Sequence, residues 1–281
     1  MKTKKYRDLT IENMPHNRLE VFFDIIKQRW DLLLKIALIL TLFFAPFIFS
    51  SFLRAEALSA LEENSSSFYA SYFETEIIFF AIDSFALILL SLPIAGILRI
   101  FKLLSFYEGI WFFHDLMKGI KENWLQVFAV LLLDSLILFL SRVSGSYLLL
   151  FGNGDFFTTI IFFLPAALGL LIILPASLIH LMEIPIYKNT YFQNIKNAFY
   201  FYFKSGFTTL PVSLLLIIPL FLNLLPFTIV PIIVYASYAF VYLPFALLFA
   251  SLYSNYVFDK FLNKNDYPEI YDKGIYRTKK D

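Results

Sequence analysis

Apolar residues in this chain gather into long runs, and polar residues are confined to the segments between them. Six runs reach about eighteen residues or more: 36–53, 77–98, 124–141, 157–181, 208–225 and 229–256. At 1.5 Å per residue, a helix of that length crosses the ~30 Å of hydrocarbon in a bilayer. A transmembrane barrel would need segments of about ten residues that alternate in hydropathy, and runs such as 36–49 do not alternate. The pattern predicts an all-α polytopic membrane protein with six transmembrane helices.

The polar segments repeat as well. Leu19, Phe22, Phe23, Ile26, Lys27 and Trp30 stand 94 positions before Phe113, Leu116, Met117, Ile120, Lys121 and Trp124. Phe199, Tyr200, Phe203, Lys204 and Phe207 stand 83 positions after Leu116, Met117, Ile120, Lys121 and Trp124. Each stretch has apolar positions at helical spacing and abuts a run, as an interfacial amphipathic helix does. Each unit is closed by a run carrying Leu-Pro, at Leu92-Pro93, Leu174-Pro175 and Leu243-Pro244. The reading is three parallel repeats of an amphipathic helix plus a transmembrane hairpin, at about 17–107, 108–190 and 191–262, with a tail at 263–281. All lie in one membrane domain. Lys27, Trp30, Lys121, Trp124, Lys204 and Phe207 are the expected interfacial anchors.

Composition and charge sharpen this picture. Hydrophobic residues make up 59% of the 281 and charged residues 16%, with a mean hydropathy of +0.70; a soluble core cannot absorb that excess. The net charge of +1 hides a segregation. Of the 23 Lys and Arg, 21 fall before the first run, between the hairpins or after the last run, and only Arg54 and Arg142 fall in the alternate loops. The positive-inside rule then places both termini and the amphipathic helices in the cytoplasm. Glu56, Glu62, Glu63, Glu74 and Glu76 are assigned to the first outer loop. The polar first twenty residues are not followed by an apolar core with a cleavage site, so the first run is expected to stay as an anchor. With no Cys, disulfides and thiolate chemistry are excluded.

Candidate chemistry is sparse. Asp83 and Asp134 fall inside apolar runs, where a carboxyl is costly and marks a functional site by default. Were they to meet, burial and like charge would favour a proton on one of them, and the ordinary alternative is satisfaction by Ser84, Ser135, a tyrosine or water. Tyr235, Tyr238 and Tyr242 share a helical face, which lines a polar interior or belongs to the core. His180 and Glu183 at i, i+3 lack a third metal ligand, so no metal is assigned. Gly152-Asn153-Gly154-Asp155 carries the G-x-G-D string of intramembrane aspartyl proteases, but without a Tyr-Asp partner and in a loop it reads as turn chemistry. Eight prolines within or beside the runs predict kinks. No phosphate-binding glycine pattern and no nucleophile–base set occurs, so no cofactor is expected and an intramembrane enzyme ranks last. The segment from Asp259 reads as a solvated tail, and nothing points to nucleic acid.

Leu92-Pro93-Ile94-Ala95-Gly96, followed by an aromatic stretch ending Lys121-Glu122-Asn123-Trp124, resembles the YesL-like bacterial membrane proteins over about residues 89–139. That resemblance implies a bacterial inner-membrane protein accessory to solute uptake, and it carries over no site residues. The expected function is a non-enzymatic transport component or accessory, with Asp83, Asp134 and the tyrosines as its polar interior. The second reading is a scaffold whose amphipathic helices recruit a cytoplasmic partner. The bilayer is the expected partner in both.

Overall fold

A computed structural model describes residues 14–62, 66–152, 155–187, 189–217 and 229–276. The chain is all-helical, with 85% helix and no strand among the described residues. In order come α1 (Arg18–Gln28), α2 (Trp30–Ser59), α3 (Phe68–Leu89), α4 (Ser91–Ser105), α5 (Phe112–Phe151), α6 (Phe156–Leu168) and α7 (Leu174–Glu183). They are followed by α8 (Tyr191–Ser205), α9 (Thr209–Ile217), α10 (Ile229–Ser237), α11 (Leu243–Phe258) and the short α12 (Lys264–Asp266). Trp30–Ser59, Phe112–Phe151, Phe156–Glu183 and Ile233–Asp266 are each long and apolar enough to cross a membrane, and α3 with α4, bent by 40°, is a fifth candidate. This is the character of a multi-pass membrane protein. The expected run at 208–225 is described only as far as Ile217.

Each Leu-Pro is preceded by a break in the helix. Leu90 is a turn between α3 and α4, while π-helical turns at Gly169–Ile173 and Tyr238–Tyr242 lead into α7 and α11. Proline has no N–H to give the carbonyl four residues earlier and its ring crowds that carbonyl, so the preceding turn widens or kinks. One of the carbonyls four residues before such a proline finds a tyrosine. The Tyr202 hydroxyl donates to the Leu171 carbonyl, four residues before Pro175, at 2.5 Å. Tyr242 donates to the Leu215 carbonyl of α9 at 2.9 Å.

The helices join more continuously than the runs suggested. The amphipathic stretch 113–124 and the run after it form one 40-residue helix, α5, whereas Arg29 separates α1 from α2 and a 3-10 turn at Gly206–Thr208 separates α8 from α9. Likewise α2 extends to Ser59 and α3 begins at Phe68, so Arg54, Glu74 and Glu76, assigned to a loop from sequence, are helical. Arg142 lies inside α5. The anchors Lys27, Trp30, Lys121, Trp124 and Lys204 are exposed, and the side chain of Phe207 lies outside the described residues.

Helices α4 and α5 cross at two glycines. A Cβ on Gly96 would lie 2.6 Å from the Leu116 carbonyl oxygen, and one on Gly119 would lie 2.9 Å from the Cα of Gly96. Small residues let backbones approach this closely in membrane helices.

The segment from Asp259 is not a solvated tail. Asp259 is buried and accepts from Arg18 at 2.6 Å and from the Asn263 amide at 2.8 Å. Arg18 also donates to the Lys273 carbonyl at 2.8 Å, and the Tyr276 amide donates to the Pro15 carbonyl at 2.8 Å. A fixed buried charge draws the chain around it, because an uncompensated carboxylate there would be costly. Tyr187, which donates to Asn263, has its phenol pushed upward by burial and then by the nearby Glu183 and Asp259 carboxyls.

A candidate polar site around helix α7

Most buried acids in this fold have a basic partner. Asp83 of α3 lies 2.8 Å from the Arg142 guanidinium of α5. Glu76, one helical stretch earlier on α3, pairs with Arg54 of α2 and also accepts from the Ser146 hydroxyl. Both guanidiniums lie over the Phe80 ring, at 4.1 Å for Arg142 and 5.3 Å for Arg54. Asp115 and Glu122 share Arg99, and Glu108 takes Lys273.

Two acids break the rule. Among the described residues, Asp134 of α5 and Glu183 of α7 have no Lys, Arg or His in ion-pair contact. Each keeps one buried carboxylate oxygen without a hydrogen-bond partner, Asp134 Oδ1 and Glu183 Oε2. The other oxygens meet neutral donors. The Ser177 hydroxyl lies close to the Asp134 carboxyl, and the Asn197 amide donates to Glu183 Oε1 at 2.7 Å. Asn189 also reaches Glu183.

These groups border two cavities. One, of about 130 Å³, is bounded by α2, α3, α4, α5, α7, α9 and α11; Asp134, Ser135, Ser213 and Tyr238 are its polar lining and the rest, such as Phe44 and Leu247, is apolar. The other, of about 140 Å³, lies between α5, α7 and α8, with Ser177, His180 and Tyr191 at its wall. Asp134 lines the first and is reached by Ser177, which lines the second. His180 is buried, its Nε2 has no hydrogen-bond partner, and its ring sits 5.1 Å from that of Tyr191. Cavities of this size hold several waters, provided polar groups receive them.

Helix α8 supplies the remaining wall. Its two asparagines face inward: Asn194 is fully buried and donates to Gln126 at 3.2 Å, and Asn197 meets Glu183. Its outer face carries exposed Phe192, Tyr200 and Phe203. A Thr190 capping box with Gln193 starts the helix, and the widened turn at Gly169–Ile173 precedes α7, which together set Glu183 against Asn197.

The structure therefore gives the two aspartates different partners, Arg142 for Asp83 and Ser177 for Asp134. Of the tyrosines, Tyr238 lines the cavity with Asp134. Tyr235 is fully buried against Phe47, with ring centroids 5.1 Å apart, and Tyr242 serves the Leu215 carbonyl. Among the described residues, no group of three or more His, Asp or Glu could hold a metal. Asp155 caps α6, where the Thr158 amide and hydroxyl hold its carboxyl below the usual carboxylate range; Asn153 and Gly154 of the G-x-G-D string lie outside the described residues. The pairing of Glu183 with Asn197 was not assembled from sequence. No family model, curated protein or solved structure matches this chain.

Proposed function

We propose that this chain is a non-enzymatic transport component, or an accessory to one, in a bacterial cytoplasmic membrane, acting on a small polar solute or cation. The observation that carries this is Asp134: a carboxyl in a membrane helix with no cationic partner among the described residues, on the wall of a cavity that also presents Ser135, Ser213 and Tyr238. An acid that only tied helices together would be matched by an arginine, as Asp83 is. Intramembrane ionisable groups that face a cavity mark solute and proton pathways.

The accompanying arrangement is six spans in three parallel units of amphipathic helix and hairpin, with both termini in the cytoplasm. The helix break before each Leu-Pro and the position-for-position anchors support it. The loose resemblance of residues 89–139 to YesL-like proteins agrees with an accessory role in solute uptake. Recruitment of a cytoplasmic partner is less well supported, because exposed Phe23, Phe113, Phe192 and Phe203 suit lipid and Asn197 is turned toward Glu183.

Because the sequence contains no cysteine, single thiols report accessibility without background. S135C and S213C, in membranes, should react with a small membrane-impermeant thiol reagent from one face, with exposed S66C as the outer control. If S66C reacts while neither cavity position does from either face, the transport reading fails.

A further inference from the structure

We infer that α7 carries a proton relay, running from Glu183 through His180 and Ser177 to Asp134 at the central cavity. This rests on the transport reading and names its coupling ion. Ser177, His180 and Glu183 succeed one another every three residues on α7, roughly one helical turn apart. At one end of this track Ser177, on the wall of one cavity, lies close to Asp134 on the wall of the other.

The fold does not require these polar groups. Counted from the proline of each Leu-Pro, the second, fifth and eighth residues are Ser177, His180 and Glu183 in α7. The corresponding residues are Ala95, Leu98 and Phe101 in α4, and Ala246, Phe249 and Leu252 in α11. Two sister helices fill the same positions with apolar side chains. Only α7 buries an imidazole and a carboxyl there, and leaves His180 Nε2 and Glu183 Oε2 without partners.

The surroundings favour transfer over storage of a fixed charge. On α8 the groups facing this track are Tyr191, Asn194 and Asn197, all neutral, whereas Lys196 and Lys204 are exposed. On α5 they are Asp134 and Gln126. Among the described residues no base pins either acid, and Lys102 of α4 donates instead to the Pro185 carbonyl at 2.8 Å, so each acid can take and return a proton. An imidazole accepts a proton on one ring nitrogen and releases one from the other, so His180 ends each passage neutral but in the other tautomer, and a ring flip resets it for the next proton. The cavity of about 140 Å³ beside Ser177, His180 and Tyr191 has room for waters that bridge the steps.

The test uses the purified full-length chain in phosphatidylcholine–phosphatidylglycerol vesicles with a trapped pH dye and a valinomycin-imposed potassium potential. Internal pH should change about tenfold faster or more than in protein-free vesicles. E183Q and D134N should fall to the protein-free rate and H180F should slow at least about tenfold, while E183D retains conduction. All must elute as wild type does on size exclusion, and a variant that does not is replaced by S177A, expected to slow conduction. Wild-type vesicles no leakier than empty ones, or E183Q conducting as wild type, overturn the relay. If S213C still labels, the cavity reading stands without it; if S213C is also silent, both fail.

Discussion

Asp83 Oδ2 lies 2.8 Å from Arg142 Nη2 in the packed interface of α3 and α5, and both side chains are almost completely buried. The pair joins helices that the sequence leaves unlinked. Removing one partner strands the other charge in a low-dielectric site, at a cost of ~3–5 kcal/mol. R142L and D83L should therefore each lower the unfolding midpoint in detergent steeply. The D83L/R142L double variant should recover most of the loss, since an apolar pair of similar volume is close to neutral. Additive losses in that cycle would contradict the pairing.

Helix existence and type were legible from the apolar runs, and the Leu-Pro positions marked each break in advance. The pairing of charges was not. Asp83 and Arg142 lie on different helices, and periodicity along one helix says nothing about the opposing face. Arg54, Arg142 and Glu76 were assigned to loops because charge ends a hydropathy run, whereas mutual neutralisation lets the helices continue through them. Asp134 was legible by depth alone. Glu183 was seen only as half of an incomplete metal pair, and the signal that could have found it was the alignment on Leu-Pro, where α4 and α11 carry apolar residues.

Three glycines of α4 and α5 give opposite signs. At Gly96 and Gly119 an added Cβ would meet backbone at 2.6 and 2.9 Å, and backbone cannot move aside as a flexible side chain can. G96A and G119A should destabilise by ~1–3 kcal/mol. That exceeds the helix-propensity gain of up to ~1 kcal/mol from Gly to Ala. At Gly145, also in α5, nothing lies within 4 Å, so only the propensity gain remains. G145A should be neutral or stabilising in the same unfolding assay.

The C-terminal return depends on a backbone that only glycine tolerates. Gly274 has φ of +85°, and a Cβ there would lie 2.2 Å from the Ser105 carbonyl oxygen. G274A should release residues 267–276 from α1 and α4, seen as faster amide exchange and earlier proteolysis in that segment. R18A should release the same segment and in addition leave Asp259 with only Asn263 and the Asp272 amide as donors. R18A is thus expected to cost ~3–5 kcal/mol globally, whereas G274A acts mainly on the tail.

Tyr107, between α4 and α5, donates to Asp24 of α1 at 2.8 Å and is half-buried. Burial, followed by the Asp24 carboxylate, pushes its phenol above the ordinary value of 10.0. The folded chain therefore holds this proton more tightly than the unfolded chain does. The stabilisation is complete below about pH 10 and is lost as pH rises beyond it, because the unfolded state ionises first. Y107F removes one hydrogen bond and should cost ~0.5–1.5 kcal/mol at neutral pH. It should also flatten the alkaline limb of the unfolding midpoint measured between about pH 8 and 11. Tyr187, shifted the same way by burial, keeps part of that limb in place. An alkaline limb of unchanged slope in Y107F would show that the Asp24 contact does not hold the phenol proton.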